Sequence, residues 1–330
     1  MGYSKYQKTI KDISCFLVKE APMRKFFPYI ALLILIFIIV GDTTADEKSK
    51  EAKISNSFGM EFVYIEPGTF MMGSPSSESS QHNDERQHQV TLTKGFYMQT
   101  TEVTVGQWRI FVQDSGYKSE AETGGGIYNW NGKEWEKKKG YYWDNPGFSQ
   151  NDSHPVTCVS WNDANAFIKW INRKEGNIYR LPTEAEWEYS ARAGSKAARF
   201  WGNDENKACS YANVADRTAK RKWSGWIIHN CDDGYVYTSP VGSFKSNSFG
   251  LYDILGNAWE WCQDWYGDYP SSAVTNPTGP SSGLFRVDRG GCWGDAPMDC
   301  RSARRDMSNP DYRVFGMGFR LVRDLYLFTV

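Results

Sequence analysis

The chain has 330 residues, 40% of them hydrophobic and 23% charged, which is ordinary for a globular protein. A net charge of −1 leaves no basic field to hold nucleic acid, so that class of partner is excluded. Aromatic residues make up 15%, with 14 Trp and 19 Tyr beside 30 Gly, a mixture suited to a loop-rich fold pinned by large flat side chains.

The long apolar run at 26–40 is short for a membrane span, which needs about 20 residues, and suits the core of a signal peptide. Arg24 and Lys25 precede it, and Gly41-Asp42-Thr43-Thr44-Ala45 follows with small residues placed for cleavage after Ala45. Read from Met23, residues 23–45 form a complete signal peptide and 1–22 an over-extended start. Read as an uncleaved anchor, the same run leaves 1–22 as a cytoplasmic tail carrying Lys5, Lys8, Lys11 and Lys19. Both readings export the remainder to the periplasm or cell surface, and only the anchor keeps it on the membrane.

Residues 46–57 are polar and read as a linker. A strand over Phe62–Ile65 turns at Pro67-Gly68 and is expected to pair with a strand through Phe70-Met71-Met72. A polar loop, 74–89, leads to Val90-Thr91-Leu92. Three helices have start signals. Thr104 precedes Trp108, Phe111 and Val112 at helical spacing, and Gly116 closes that segment. Ser160 with Asp163, and Thr183 with Glu186, make capping boxes for the other two, the last running to Gly194. Beyond Gly194 the chain reads as short strands and turns, giving an α+β domain with much loop. Cys158 and Cys262 lie in apolar-aromatic surroundings and read as buried thiols. The four His are scattered and no CxxC occurs, so zinc is not expected.

Several blocks in order resemble the formylglycine-generating enzyme, or sulfatase-modifying factor, family. They are GTFMMGS from Gly68, TEVT from Thr101, HPV from His154, RLPTEAEWE from Arg180, FGLYD from Phe249, GNAWEW from Gly256, RGG from Arg289 and GFR from Gly318. The resemblance implies the C-type-lectin-like variant of this fold over 58–325. In RLPTEAEWE the helix is expected to turn Trp187 and Ala191 inward and leave its carboxylates out. In GNAWEW, Trp259 and Trp261 share one side of an extended segment.

The family's oxidase holds copper between two cysteine thiolates, the soft ligands that copper(I) prefers. Counting from the Gly290-Gly291 turn, Asp295 stands at the first cysteine position and Cys300 at the second. Cys292 sits where relatives usually have Ser. Copper is therefore not expected, unless Cys292 and Cys300 form a pair of their own. The resemblance implies calcium instead, which takes six to eight oxygens from ordered loops. One site would use Asn213, the carbonyl of Val214, Asp233 and the carbonyl of Tyr235. Another would use Asn257, Ala258 and Glu260. Cys209 and Cys231 flank the first set, and a disulfide there would close its loop.

The segment 292–317 departs from the family in a pattern. A frame is kept at Arg289-Gly290-Gly291, Trp293, Cys300-Arg301-Ser302-Ala303, Pro310-Asp311 and Gly318-Phe319-Arg320. The positions between carry residues reachable from Asn codons by changing adenines, although Met298 and Met307 do not fit. That resembles the variable proteins of diversity-generating retroelements. A constant scaffold with a mutable face implies ligand binding, here through Gly294, Asp295, Asp299, Arg304, Arg305, Asp306, Tyr312, Arg313, Val314 and Phe315, expected to be exposed to a protein or surface ligand. The expectation is an exported, non-catalytic binding domain. The alternatives are a copper-dependent oxidase acting on a cysteine of a sulfatase-type substrate, and a structural accessory protein of the envelope.

Overall fold

The computed structural model describes residues 51–130 and 134–325, which belong to one compact unit. Residues 23–45, expected to be a signal or anchor segment, lie outside the described residues. Strands β1 (Lys53–Ser55), β2 (Glu61–Ile65), β3 (Gly68–Met72), β4 (His88–Leu92) and β5 (Phe96–Gln99) precede helices α1 (Val105–Ser115) and α2 (Glu120–Thr123). Then come β6 (Ile127–Trp130), β7 (Trp135–Lys138), α3 (Trp161–Glu175), β8 (Tyr179–Arg180) and α4 (Glu184–Arg192). A 3-10 turn at Glu205–Ser210 and α5 (Arg217–Lys222) follow. Strands β9 (Trp259–Trp265), β10 (Val274–Thr275), β11 (Arg286–Arg289), β12 (Arg305–Ser308), β13 (Met317–Gly318) and β14 (Val322–Arg323) complete the domain.

The strands assort into sheets of order β1-β2-β5-β14-β8, β10-β4-β3, β12-β11-β9-β13 and β6-β7. Two expectations fail here. Lys53–Ser55 is not linker but an edge strand, in register with Glu61–Val63. Strands β2 and β3 are not partners: β2 pairs with β5, and β3 with β4. Every residue of β5 is buried, so it needs a neighbour on each side, and β2 and β14 supply them. Pro67-Gly68 therefore passes the chain between sheets rather than closing a hairpin.

The helix starts are as the sequence dictates. Thr104 with Gln107, Ser160 with Asp163 and Thr183 with Glu186 form reciprocal capping boxes on α1, α3 and α4. Each satisfies two otherwise orphaned amides, and such a cap is worth about 1 kcal/mol. Helices α1 and α3 end on Gly116 and Gly176 in the left-handed conformation. Their apolar faces meet in an aromatic core where Trp108 stacks on Phe167 at 5.7 Å, with Phe319 edge-on to both. Trp259 and Trp261 do face the same core, Trp261 fully buried.

Helix α4 corrects the reading of its carboxylates. Trp187 and Ala191 point inward as expected, but Glu184 and Glu188 are buried too. Glu188 accepts from Arg192 (2.8 Å) and Arg289 (2.6 Å), while Glu184 accepts from Arg289 (2.9 Å) and from both Nε and Nη2 of Arg305 (2.9 and 2.8 Å). This network ties α4 to β11 and to the start of β12. The segment 292–317 thus leaves β11, forms the edge strand β12, and ends in β13 at the opposite edge of the same sheet.

Candidate functional site

The first loop, 290–304, leaves β11 through Gly290 and Gly291, both at positive φ. A Cβ on Gly291 would come within 2.8 Å of the Cys300 sulfur, so only glycine allows the loop to fold back this tightly. Arg301 holds the far side, donating to Glu85 through Nη1 (2.9 Å) and Nη2 (2.6 Å) and to Glu78 (2.6 Å). Arg199 donates to the carbonyls of Cys300 (2.9 Å) and Pro297 (2.5 Å). These arginines fix the loop's ends.

Cys292 and Cys300 are both buried and not disulfide-bonded. Burial, reinforced by the charge of Asp295, pushes both thiols well above the usual range. Asp295 accepts the Cys292 amide at 2.7 Å and takes a hydrogen bond from its thiol, and burial raises its own carboxyl to about 6. Copper(I) is held by thiolates, so a copper centre here would require both of these buried thiols to give up their protons.

The expected display residues divide. Gly294 packs at the edge of Trp226, and Phe315 lies 5.4 Å from Trp293. Asp299, Arg304 and Asp306 form a half-exposed chain, with Arg304 3.2 Å from Asp299 and 3.4 Å from Asp306. Tyr312 stacks on Tyr128 at 5.2 Å, and Val314 packs partly on the main core. Arg305 and Arg313 correct the reading, since each is only 1% exposed. Arg305 belongs to the Glu184 network. Arg313 donates to the carbonyls of Gly126 (3.1 Å), Gly124 (3.2 Å) and Asp311. Both are frame residues, and what fixes them is the distant part of the chain that they hold.

One feature of the surface was not foreseen. The Cys209–Cys231 disulfide, itself expected, closes a loop that carries α5 and, after it, Trp223 and Trp226. These indoles stack at 4.3 Å and 8°. Together with Tyr237 and Phe148, themselves stacked at 4.4 Å, and with Phe315, they surround Trp293 at centroid distances of 5.1–6.0 Å. Trp293 is buried and its Nε1 has no partner, while the surrounding rings are half-buried. Lys222 rims this shelf, donating to the Tyr237 hydroxyl at 2.6 Å. The sequence signal was the Trp-Ser-Gly-Trp run inside the Cys209–Cys231 loop, but Phe148 and Trp293 come from remote segments.

The two expected calcium sets fare differently. In the first, Asn213 Oδ1 is buried without a partner, and Asp233 accepts from the amides of Val214 (2.9 Å) and Tyr235 (2.8 Å). Burial, with Asp216 close by, raises Asp233 to about 7. A divalent cation beside Asp216 and Asp233 would relieve that repulsion. The second set does not fit as expected. Both Glu260 oxygens accept from Arg320, one of them also from Trp187, and Asn257 Oδ1 already accepts from Asn213 and Ser239. The orphaned oxygens there belong to Glu102 and Asp253, whose carboxyls are raised chiefly by burial, Asp253 to about 6.

The chain is similar to several known proteins. The formylglycine-generating enzyme of Mus musculus is 35% identical over 292 residues, which span 79% of this chain and 74% of the relative. That of Streptomyces coelicolor is 31% identical over 295 residues, spanning 79% and 88%. Among solved structures, PvdO from Pseudomonas aeruginosa superposes with a TM-score of 0.69 at 30% identity, over 84% of this chain and all of that one. Treponema denticola variable protein 1 gives 0.61 at 24% identity over 84% of this chain and all of its own, a likeness of fold. The model of the sulfatase-modifying factor enzyme 1-like domain matches residues 48–325, and with the frame around 289–320 and the buried arginine network in place, the chain belongs to that family.

Proposed function

We propose that this protein is an exported, non-catalytic member of its family that binds a protein ligand on the aromatic shelf around Trp293. The observation that carries the reading is the shelf itself: half-buried Trp223, Trp226, Tyr237, Phe148 and Phe315 over a buried indole, rimmed by Lys222. Trp and Tyr side chains in partly desolvated clusters are residue types enriched where protein interfaces concentrate their binding energy. Gly294 and Phe315, from the segment 292–317, lie in the shelf, and Asp299, Arg304 and Asp306 form a second, polar patch. Replacement of these positions within the fixed frame supports the view that 292–317 is a diversified face. The disulfide supports an oxidising compartment, in keeping with export by residues 23–45. Calcium at the Asn213/Asp233 loop is a structural part of the proposal.

The test is cross-linking and mass spectrometry on cells making the parent or a Trp223→Ala/Trp226→Ala double variant. A partner captured by the parent and lost from an equally stable double variant is expected. Identical capture by both would overturn the reading. An oxidase is the second reading, favoured by the formylglycine-generating relatives. Copper-dependent consumption of a cysteine peptide thiol by the parent, abolished by Cys300→Ser, would select it over the binding module.

A further inference from the structure

Behind the loop 297–301 lies a polar cavity of about 400 Å³ between segments 75–80, 196–205 and 297–301. Its inner wall is Arg199, only 4% exposed. Unlike Arg289, Arg301, Arg305 and Arg320, Arg199 has no carboxylate within hydrogen-bond distance among the described residues. It donates to backbone carbonyls, those of Cys300, Pro297 and, at 3.4 Å, Asn203. Among the described residues its nearest acidic partner is Glu205, 3.9 Å away with a side chain 51% exposed. Desolvation accordingly lowers its pKa, against the rise at those other arginines. Three dipoles do not neutralise a buried guanidinium, and such a charge is costly to leave so weakly compensated. The cavity it faces is lined by the hydroxyl-bearing Ser77, Ser79 and Ser80 and by the exposed Lys196. Of the acids in the lining, Glu78 is locked to Arg301 at 2.6 Å, and Glu205 reaches in from solvent.

We infer that this cavity is an oxyanion site, taking a phosphate or sulfate group, free or esterified, between Arg199 and Lys196 and displacing Glu205. Serine hydroxyls and a guanidinium fork match the several acceptor oxygens of such a group. The bound anion completes the charge of the residue that holds the Pro297 and Cys300 carbonyls, and so stiffens the base of the 292–317 face.

The probes are inorganic phosphate, inorganic sulfate and O-phosphoserine, titrated into the full chain by calorimetry at ionic strength held constant with sodium chloride. Saturable binding of at least one probe is expected. Binding of phosphoserine but not the free ions assigns an esterified ligand, and the converse a free one. Glu205→Gln removes the competing carboxylate and should tighten binding, whereas Lys196→Ala should weaken it, each by about two- to fivefold, the span of an exposed ion pair of up to ~1 kcal/mol. Both positions are exposed, so both variants should melt with the parent in the absence of anion. No binding beyond the chloride control, or parental affinity in both variants, would overturn the site.

Discussion

Arg305→Ala separates a display face from a frame most directly, because Arg305 lies within the segment that reads as variable. Its guanidinium is 1% exposed, donates twice to Glu184 at 2.9 and 2.8 Å, donates to the Gly267 carbonyl at 3.0 Å, and stacks 3.9 Å from the Tyr269 ring. Truncation leaves Glu184 buried with half of its cationic partners, Arg289 remaining. Breaking a buried pair in this way costs about 3–5 kcal/mol. The adjacent Arg304 pairs with the half-exposed Asp299 and Asp306 and donates to the Arg305 carbonyl, without a buried acid among its ion pairs, so its loss should stay within about 1 kcal/mol. Urea unfolding followed by tryptophan fluorescence reads both, the slope confirming that the denatured state is unchanged. If Arg305→Ala costs less than about 1 kcal/mol, or no more than Arg304→Ala, the buried network does not organise the segment and the division of 292–317 into frame and face is wrong.

Stability should fall as pH rises from about 4 to 8. Asp264 is raised to about 8 by burial and by Glu184, so between its unfolded and folded pKa the native state holds a proton that the unfolded state has lost. Asp264→Asn keeps an acceptor for the Glu184 amide, now 3.0 Å away, and should flatten that slope in urea titrations at pH 5 and 8; an unaltered slope would assign the proton elsewhere. Calcium should raise the melting midpoint over that in chelator, with Asp233→Ala abolishing the difference, and equal midpoints in the parent would make the Asn213/Asp233 loop metal-free. Cys292 and Cys300 should resist a thiol reagent in the native protein and react on unfolding, and rapid native labelling would reopen the oxidase reading.

What could be read from the sequence is what the chain specifies locally. The capping boxes at Thr104, Ser160 and Thr183, and the left-handed glycines 116 and 176, set the helix ends from a few adjacent residues, and the structure follows them. The C-type-lectin-like fold and the family were legible from the resemblance that eight ordered blocks carry, not from any local rule. Strand partners were not. Phe62–Ile65 pairs with Phe96–Gln99 rather than with the strand across Pro67-Gly68, because the buried β5 competes for it. Nothing in the intervening residues announces that.

The same distinction explains the misread arginines. Read along the chain, Arg305 and Arg313 are isolated charges between family landmarks and look like products of a mutable codon. Their partners are Glu184, 121 residues away, and the carbonyls of Gly124 and Gly126, 189 and 187 residues away. A charged residue near an exposed loop is ordinarily solvated, and only the fold reveals a buried acid or an unpaired carbonyl waiting for it. The aromatic shelf was missed for the converse reason. Trp223 and Trp226 fall in a disulfide-closed loop outside the family blocks, and Phe148, Tyr237 and Trp293 reach them from three other segments. The side chains of 292–317 thus serve two masters by geometry rather than by type: those aimed into the sheet edge hold α4 and the loop at 124–126, and those aimed outward remain free to vary. Diversification of such a segment is compatible with folding only where the second group changes and the first does not.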